Sequence, residues 1–160
     1  MNFKKWIESV WYHGTQSGNE IRQSGQIDIS TSGGGQRGLK GVWLTRDPSY
    51  ANLYAKASRE NPRQPEILQV EVPDNLNIAD FYAIQNSLGI NDAERAMWKF
   101  VGFDVDDFAS MQPVRDMQPF AMTKLLQQQG YDGALIPNTI QKGGEPELVI
   151  FNPGNVRLIA

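Results

Sequence analysis

The chain has a single histidine, His13, among its 160 residues, and no cysteine. One imidazole excludes paired acid/base histidines and multi-histidine metal sites, which leaves chemistry in which a lone His orients or binds. Without cysteine there are no disulfides, thiolate nucleophiles or Cys-based zinc sites, and a reducing, cytoplasmic setting is expected. A cationic excess is missing too. Fifteen Lys+Arg against 18 Asp+Glu give a net charge of -3, so no bulk field draws in a polyanion and nucleic acid is the less favoured partner. No run approaches the ~20 apolar residues of a membrane span. Residues 1–12 have no long apolar stretch of the signal-peptide kind, and Phe3, Trp6, Ile7 and Val10 fall at the spacing of an amphipathic helix.

What is present fits one globular domain over residues 1–160, 40% of them hydrophobic. A chain this long buries roughly two thirds of its unfolded surface. The pattern predicts a helix over residues 1–9, a short strand from Val10 to His13, and a helical turn over 19–24 stopped by Gly25. Residues 29–41 carry no hydrophobic periodicity and include three consecutive glycines, Gly33 to Gly35, so they are expected to form a mobile loop. A core strand over 41–45 follows, then a helix capped by Asp47 with Pro48 at its first position and ended at Asn61-Pro62. Alternation predicts a half-buried strand over 66–72. Helices are expected over 93–100 and 120–129, with irregular chain around Pro113 and Pro119. Strands are expected over 131–137, 147–151 and 156–159. Because helices interrupt the strands rather than alternating regularly with them, the expected class is α+β.

Four segments, in this order, resemble the ADP-ribosyltransferase superfamily, in its poly(ADP-ribose) polymerase and diphtheria-toxin-like branch with the His-Tyr-Glu triad. Trp11-Tyr12-His13-Gly14-Thr15 is similar to the strand that ends in His-Gly-Ser/Thr. Gly41-Val42-Trp43-Leu44-Thr45 is similar to a Gly-Ile-Tyr-Phe-Ala strand, with Tyr54 eleven positions beyond Trp43, where the family has a second Tyr. Gln129-Gly130-Tyr131-Asp132-Gly133 resembles a turn of compact phage and bacterial members. Glu147-Leu148-Val149-Ile150-Phe151 is similar to the strand bearing the catalytic Glu.

The resemblance implies a split β-sheet core with short flanking helices, NAD as co-substrate, no metal, and a macromolecular acceptor, a protein ahead of a nucleic acid. It further implies an effector-type enzyme acting in the cytoplasm, its own or that of an infected or targeted host. Breaking the nicotinamide–ribose bond develops positive charge on the ribose, so a carboxylate nearby stabilises that state, and Glu147 is the candidate. His13 is implied to bond the adenosine ribose, Gly14 to offer its backbone N–H and C=O to the carboxamide in a close approach that the missing side chain permits, Thr15 to help bind NAD, Tyr54 to stack on the nicotinamide ring, and Arg37 or Lys40 to meet the pyrophosphate.

Two positions depart from the family's pattern. Trp43 stands where the triad has Tyr, exchanging a phenol O–H for an indole N–H while keeping a flat aromatic wall. Ala51 stands where the family has a Ser that bonds the carboxamide. A non-catalytic module that binds NAD, ADP-ribose or a partner is therefore a second expectation, and a tRNA 2'-phosphotransferase, which normally needs a second His and several Arg, a third. Taken singly, His13, Trp43, Tyr54 and Glu147 are each ordinary structural residues; their joint occurrence carries the functional reading.

Overall fold

The strands form where the sequence alternates or runs apolar, and the computed structural model joins seven of them into one mixed sheet. It describes residues 10–29, 38–56, 65–104, 121–137 and 144–159. The expected helix over 1–9, the glycine-rich loop with Arg37, the helix end at Asn61-Pro62 and the segment holding Pro113 and Pro119 lie outside the described residues.

In chain order the elements are β1 (Trp11–Thr15), α1 (Gly18–Ser24), β2 (Val42–Thr45), α2 (Pro48–Lys56), β3 (Glu66–Glu71), β4 (Ile78–Asp80), α3 (Phe81–Leu88), α4 (Ala93–Phe100), α5 (Ala121–Gln128), β5 (Gly133–Ile136), β6 (Glu147–Ile150) and β7 (Arg157–Leu158). The α+β class is as expected. Across the sheet the order is β4-β5-β6-β2-β1-β3-β7. All neighbours are antiparallel except β4 and β5.

The pairing is uneven. β1 matches β3 along its whole length, from Trp11 opposite Val70 to Thr15 opposite Glu66. β2 matches β6 from Val42 opposite Ile150 to Thr45 opposite Glu147. Between β1 and β2, by contrast, one registered pair remains, Tyr12 opposite Thr45. The sheet thus continues from β2 to β1 through one registered pair, against four between β2 and β6 and five between β1 and β3.

Hydrophobic residues cover both faces. Val42, Leu44, Leu148 and Ile150 pack with Trp11, Leu68 and Val70 on one side. On the other, Val149, Ala134 and Ile136 meet Phe81, Met97 and Trp98 from α3 and α4, and Met122 and Leu126 from α5. β3 shows how alternation sorts its residues: Leu68 and Val70 are buried while Ile67 is 38% exposed.

The termini of the helices follow their local chemistry. Gly25 takes φ 73° after α1, the left-handed conformation that glycine adopts without strain. Asp47 caps α2 by accepting the Ser49 N–H at 2.8 Å. β4 and α3 were not expected from the sequence. α3 nevertheless carries both end signals, since Asp80 accepts the N–H groups of Tyr82 and Ala83 and Gly89 closes the helix at φ 64°.

The Gly-Tyr-Asp-Gly turn is explained by packing. Asp132 accepts the Asn77 N–H at 2.8 Å, its own N–H donates to the Asn77 carbonyl at 2.7 Å, and its carbonyl accepts from Phe151 at 3.0 Å. A Cβ on Gly133 would collide with the backbone carbonyl oxygen of Val149 on β6. Gly133→Ala should therefore destabilise the fold by about 1–3 kcal/mol or more, because a backbone atom in a central strand cannot give way. Urea unfolding is expected to show a lower midpoint with an unchanged slope; a midpoint equal to the parent's would show that β5 and β6 have room to spare.

Candidate functional site

Beside the single registered pair of β1 and β2, the Trp43 backbone carbonyl receives a side chain. His13 Nδ1 lies 3.0 Å from that oxygen. A carbonyl only accepts, so Nδ1 carries the proton, and the neutral ring then presents Nε2 as an acceptor. Burial holds the His13 pKa below its ordinary 6.5, opposed by the hydrogen bond to Trp43. At neutral pH the ring is therefore uncharged, half-buried and oriented.

The next residue fixes how β1 sits against α2. A Cβ on Gly14 would overlap the Ala51 carbonyl oxygen and crowd the Ala55 nitrogen. What approaches Gly14 so closely is the α2 backbone, and Ala51 is buried behind it. Gln16 reinforces the junction by donating from Nε2 to the Ala55 carbonyl at 2.7 Å. Thr15 uses its hydroxyl to accept the Ser17 N–H at 3.0 Å, which turns the chain into α1.

With α2 seated in this way, Tyr54 reaches β6. Its hydroxyl donates to Glu147 Oε1 at 2.6 Å. Tyr50, one helical turn earlier, places its own hydroxyl 3.3 Å from that of Tyr54, and the two rings meet edge to face with centroids 5.2 Å apart. Because Tyr54 has one proton and gives it to Glu147, Tyr50 is the donor between the two phenols. Burial, then the bonds to Glu147 and Tyr50, push the Tyr54 pKa far above its ordinary 10.0, so the phenol stays protonated.

Glu147 is only 3% exposed, at the start of β6, between Thr45 on β2 and Ile136 on β5. Burying a carboxyl group is costly unless hydrogen bonds compensate, and the phenol supplies one. Glu145, two residues earlier, is exposed.

The structure thus joins His13 to the Trp43 carbonyl and Tyr54 to Glu147. His13 and Glu147 are not in contact: β2 lies between their strands, so they are separated by about two strand spacings, roughly 10 Å. Trp43 takes part through its carbonyl. Its ring packs against the core of α3, α4 and α5, and its buried Nε1 has no acceptor among the described residues. Arg37 lies outside the described residues. The Lys40 backbone is tied to α5, its N–H donating to Thr123 Oγ1 at 2.7 Å.

Sequence reasoning missed the bonding role of both phenols, although the Tyr50/Tyr54 spacing of one helical turn was a readable signal. Among the described residues no group of three or more His, Cys, Asp or Glu is arranged to hold a metal ion, and no helix is long and apolar enough to cross a membrane. An open concavity of about 340 Å³ between Ile27, Ile29, Lys40 and Pro153 shares no residue with the cluster. No protein-family model and no curated protein matches the chain.

The lowered His13 pKa has a signed consequence. In the folded state the ring resists protonation, whereas the unfolded chain takes up a proton near pH 6.5. This contribution to stability is therefore present above that pH and is lost as the pH falls through the folded-state value. His13→Gln should flatten the stability–pH curve just below pH 6.5, and ¹⁵N spectra of the sole imidazole should show the Nδ1–H form at pH 7. An imidazolium signal at pH 7 would contradict the assignment.

Proposed function

We propose that the chain is an NAD-dependent ADP-ribosyltransferase with the split-sheet fold of that superfamily, releasing nicotinamide and passing ADP-ribose to a macromolecular acceptor, a protein in preference to a nucleic acid. The observation that carries the reading is that residues from three of the four family-like segments meet in pairs, His13 at the Trp43 carbonyl and Tyr54 at Glu147. The single registered pair between β1 and β2 supports the fold reading.

The chemistry follows from what each group offers. A neutral His13, proton on Nδ1, accepts a hydroxyl hydrogen at Nε2 and thereby binds a ribose without transferring a proton. A ligand that touches both His13 and Glu147 has to span the β1–β2 divergence, which suits two riboses joined by a pyrophosphate better than a single sugar. As the C–N bond to nicotinamide breaks, its electron pair leaves with the ring and positive charge develops on the ribose. Glu147, fixed and largely shielded from water, faces that charge at little reorganisation cost. The acceptor then bonds to the ribose carbon and gives up its proton, for which Glu147 is the available base. The reading places this activity in the cytoplasm, of the chain's own cell or of a targeted one.

One observation favours the second reading, a module that binds NAD or ADP-ribose without turnover. Ala51 lies buried behind Gly14 and brings no hydroxyl to the nicotinamide pocket.

Nicotinamide release separates the two. Glu147→Gln keeps shape and removes the charge, so turnover should fall ~10²-fold or more with NAD affinity nearly unchanged. His13→Ala should weaken NAD binding by about 1–3 kcal/mol, the scale of a lost buried hydrogen bond. NAD binding without nicotinamide release in the parent chain establishes the module; parent-rate release by Glu147→Gln removes Glu147 from the chemistry.

A further inference from the structure

Tyr54 stands where the resemblance implies a ring that stacks on nicotinamide, yet its hydroxyl is committed elsewhere. It donates to Glu147 Oε1 at 2.6 Å and lies 3.3 Å from the Tyr50 hydroxyl. We propose that Tyr54, backed by Tyr50, is the positioning residue for Glu147, holding one carboxyl oxygen so that the group keeps a single orientation through the reaction. The assignment of a reaction rests on the transferase reading; the hydrogen bond itself does not.

Three features of the geometry point this way. Glu147 is buried at the start of β6, and the Tyr54 hydroxyl reaches one of its carboxyl oxygens from a different element, α2, at 2.6 Å. Second, α2 is an unusually well-fixed platform for the donor: Gly14 admits its backbone to near contact with β1, Gln16 ties down the Ala55 carbonyl one residue beyond Tyr54, and Asp47 caps its start. Third, the phenols form a directed chain. Tyr50 is 2% exposed, and its donation to Tyr54 leaves the Tyr54 proton no partner but Glu147. Burial and both hydrogen bonds keep Tyr54 protonated, so the donor persists at working pH.

The consequence is a division of labour within one side chain. The ring of Tyr54 remains available to a ligand face, whereas the hydroxyl acts through Glu147. Tyr54→Phe separates the two because it keeps the ring. It should lower kcat about tenfold, the scale of one hydrogen bond to a charged group, with KM for NAD within about twofold of the parent's. Tyr50→Phe should lower kcat less and in the same way. Tyr54→Ala should raise KM as well.

A readout that does not depend on turnover completes the test. In protein labelled with ¹³C at the glutamate carboxyl carbon, the Glu147 resonance is identified by its loss in Glu147→Gln. It should move in Tyr54→Phe, and by less in Tyr50→Phe. An unmoved resonance in Tyr54→Phe overturns the proposal, as does a parent-like kcat, or a rise in KM that accounts for the whole loss. If the parent chain releases no nicotinamide, the transferase reading fails, and the resonance alone decides whether Tyr54 holds Glu147. Should Tyr54→Phe fold poorly, Tyr50→Phe carries the same two measurements with the same opposing outcomes.

Discussion

A backbone carbonyl inside a sheet has to be hydrogen-bonded, and the Trp43 carbonyl accepts from a side chain. β1 and β2 register only at Tyr12 opposite Thr45. Beside that pair the His13 imidazole places Nδ1 3.0 Å from the Trp43 oxygen. This one bond has two effects. It satisfies the carbonyl across the strand pair, where an unsatisfied buried carbonyl would cost about 1–3 kcal/mol. It also consumes the ring's proton-bearing nitrogen, so that the nitrogen left over is an acceptor. The same side chain thus fills a structural need and keeps one acceptor in a fixed orientation.

The other half of the cluster depends on how closely α2 lies against β1. Any residue larger than glycine at position 14 would push the helix away, because the obstacle is the Ala51 carbonyl rather than a movable side chain. Moving α2 outward would carry Tyr54 away from Glu147, and a 2.6 Å hydrogen bond tolerates little displacement. Gly14, which the sequence marks out as a residue that lets a ligand come near, therefore first lets a helix come near. The position of the carboxyl group on β6 is set from β1 through α2, across an intervening strand.

Much of this was legible in the sequence. Alternation located β3, and the Asp47-Pro48 start of α2 and the Gly25 end of α1 were read from capping chemistry that acts within a few residues. β4 and α3 escaped because a three-residue strand has too few positions to show a period. Their presence depends on parallel pairing of Ile78 to Asp80 with β5, a contact between residues more than fifty positions apart. The site divides along the same line. His13 and Glu147 were singled out through the resemblance of their flanking segments. That the Trp43 carbonyl, not its ring, meets His13 was not legible, nor was the bond from Tyr54 to Glu147, because both depend on how the strands pair and on the depth at which a helix packs.

Trp43 follows from the same arrangement. Its partly buried indole packs against the core cluster that holds Met97, Trp98 and Met122, and its N–H has no acceptor among the described residues. Packing of its apolar area against that core offsets the unmet indole N–H. β2 therefore contributes a wall and a backbone carbonyl, and no hydroxyl from position 43. The phenols stand instead on α2, where Tyr50 and Tyr54 are one turn apart and direct a proton toward Glu147. A carboxyl group held from a helix rather than from the adjoining strand can shift only as the helix shifts, so its precision is inherited from the packing of Gly14 on Ala51.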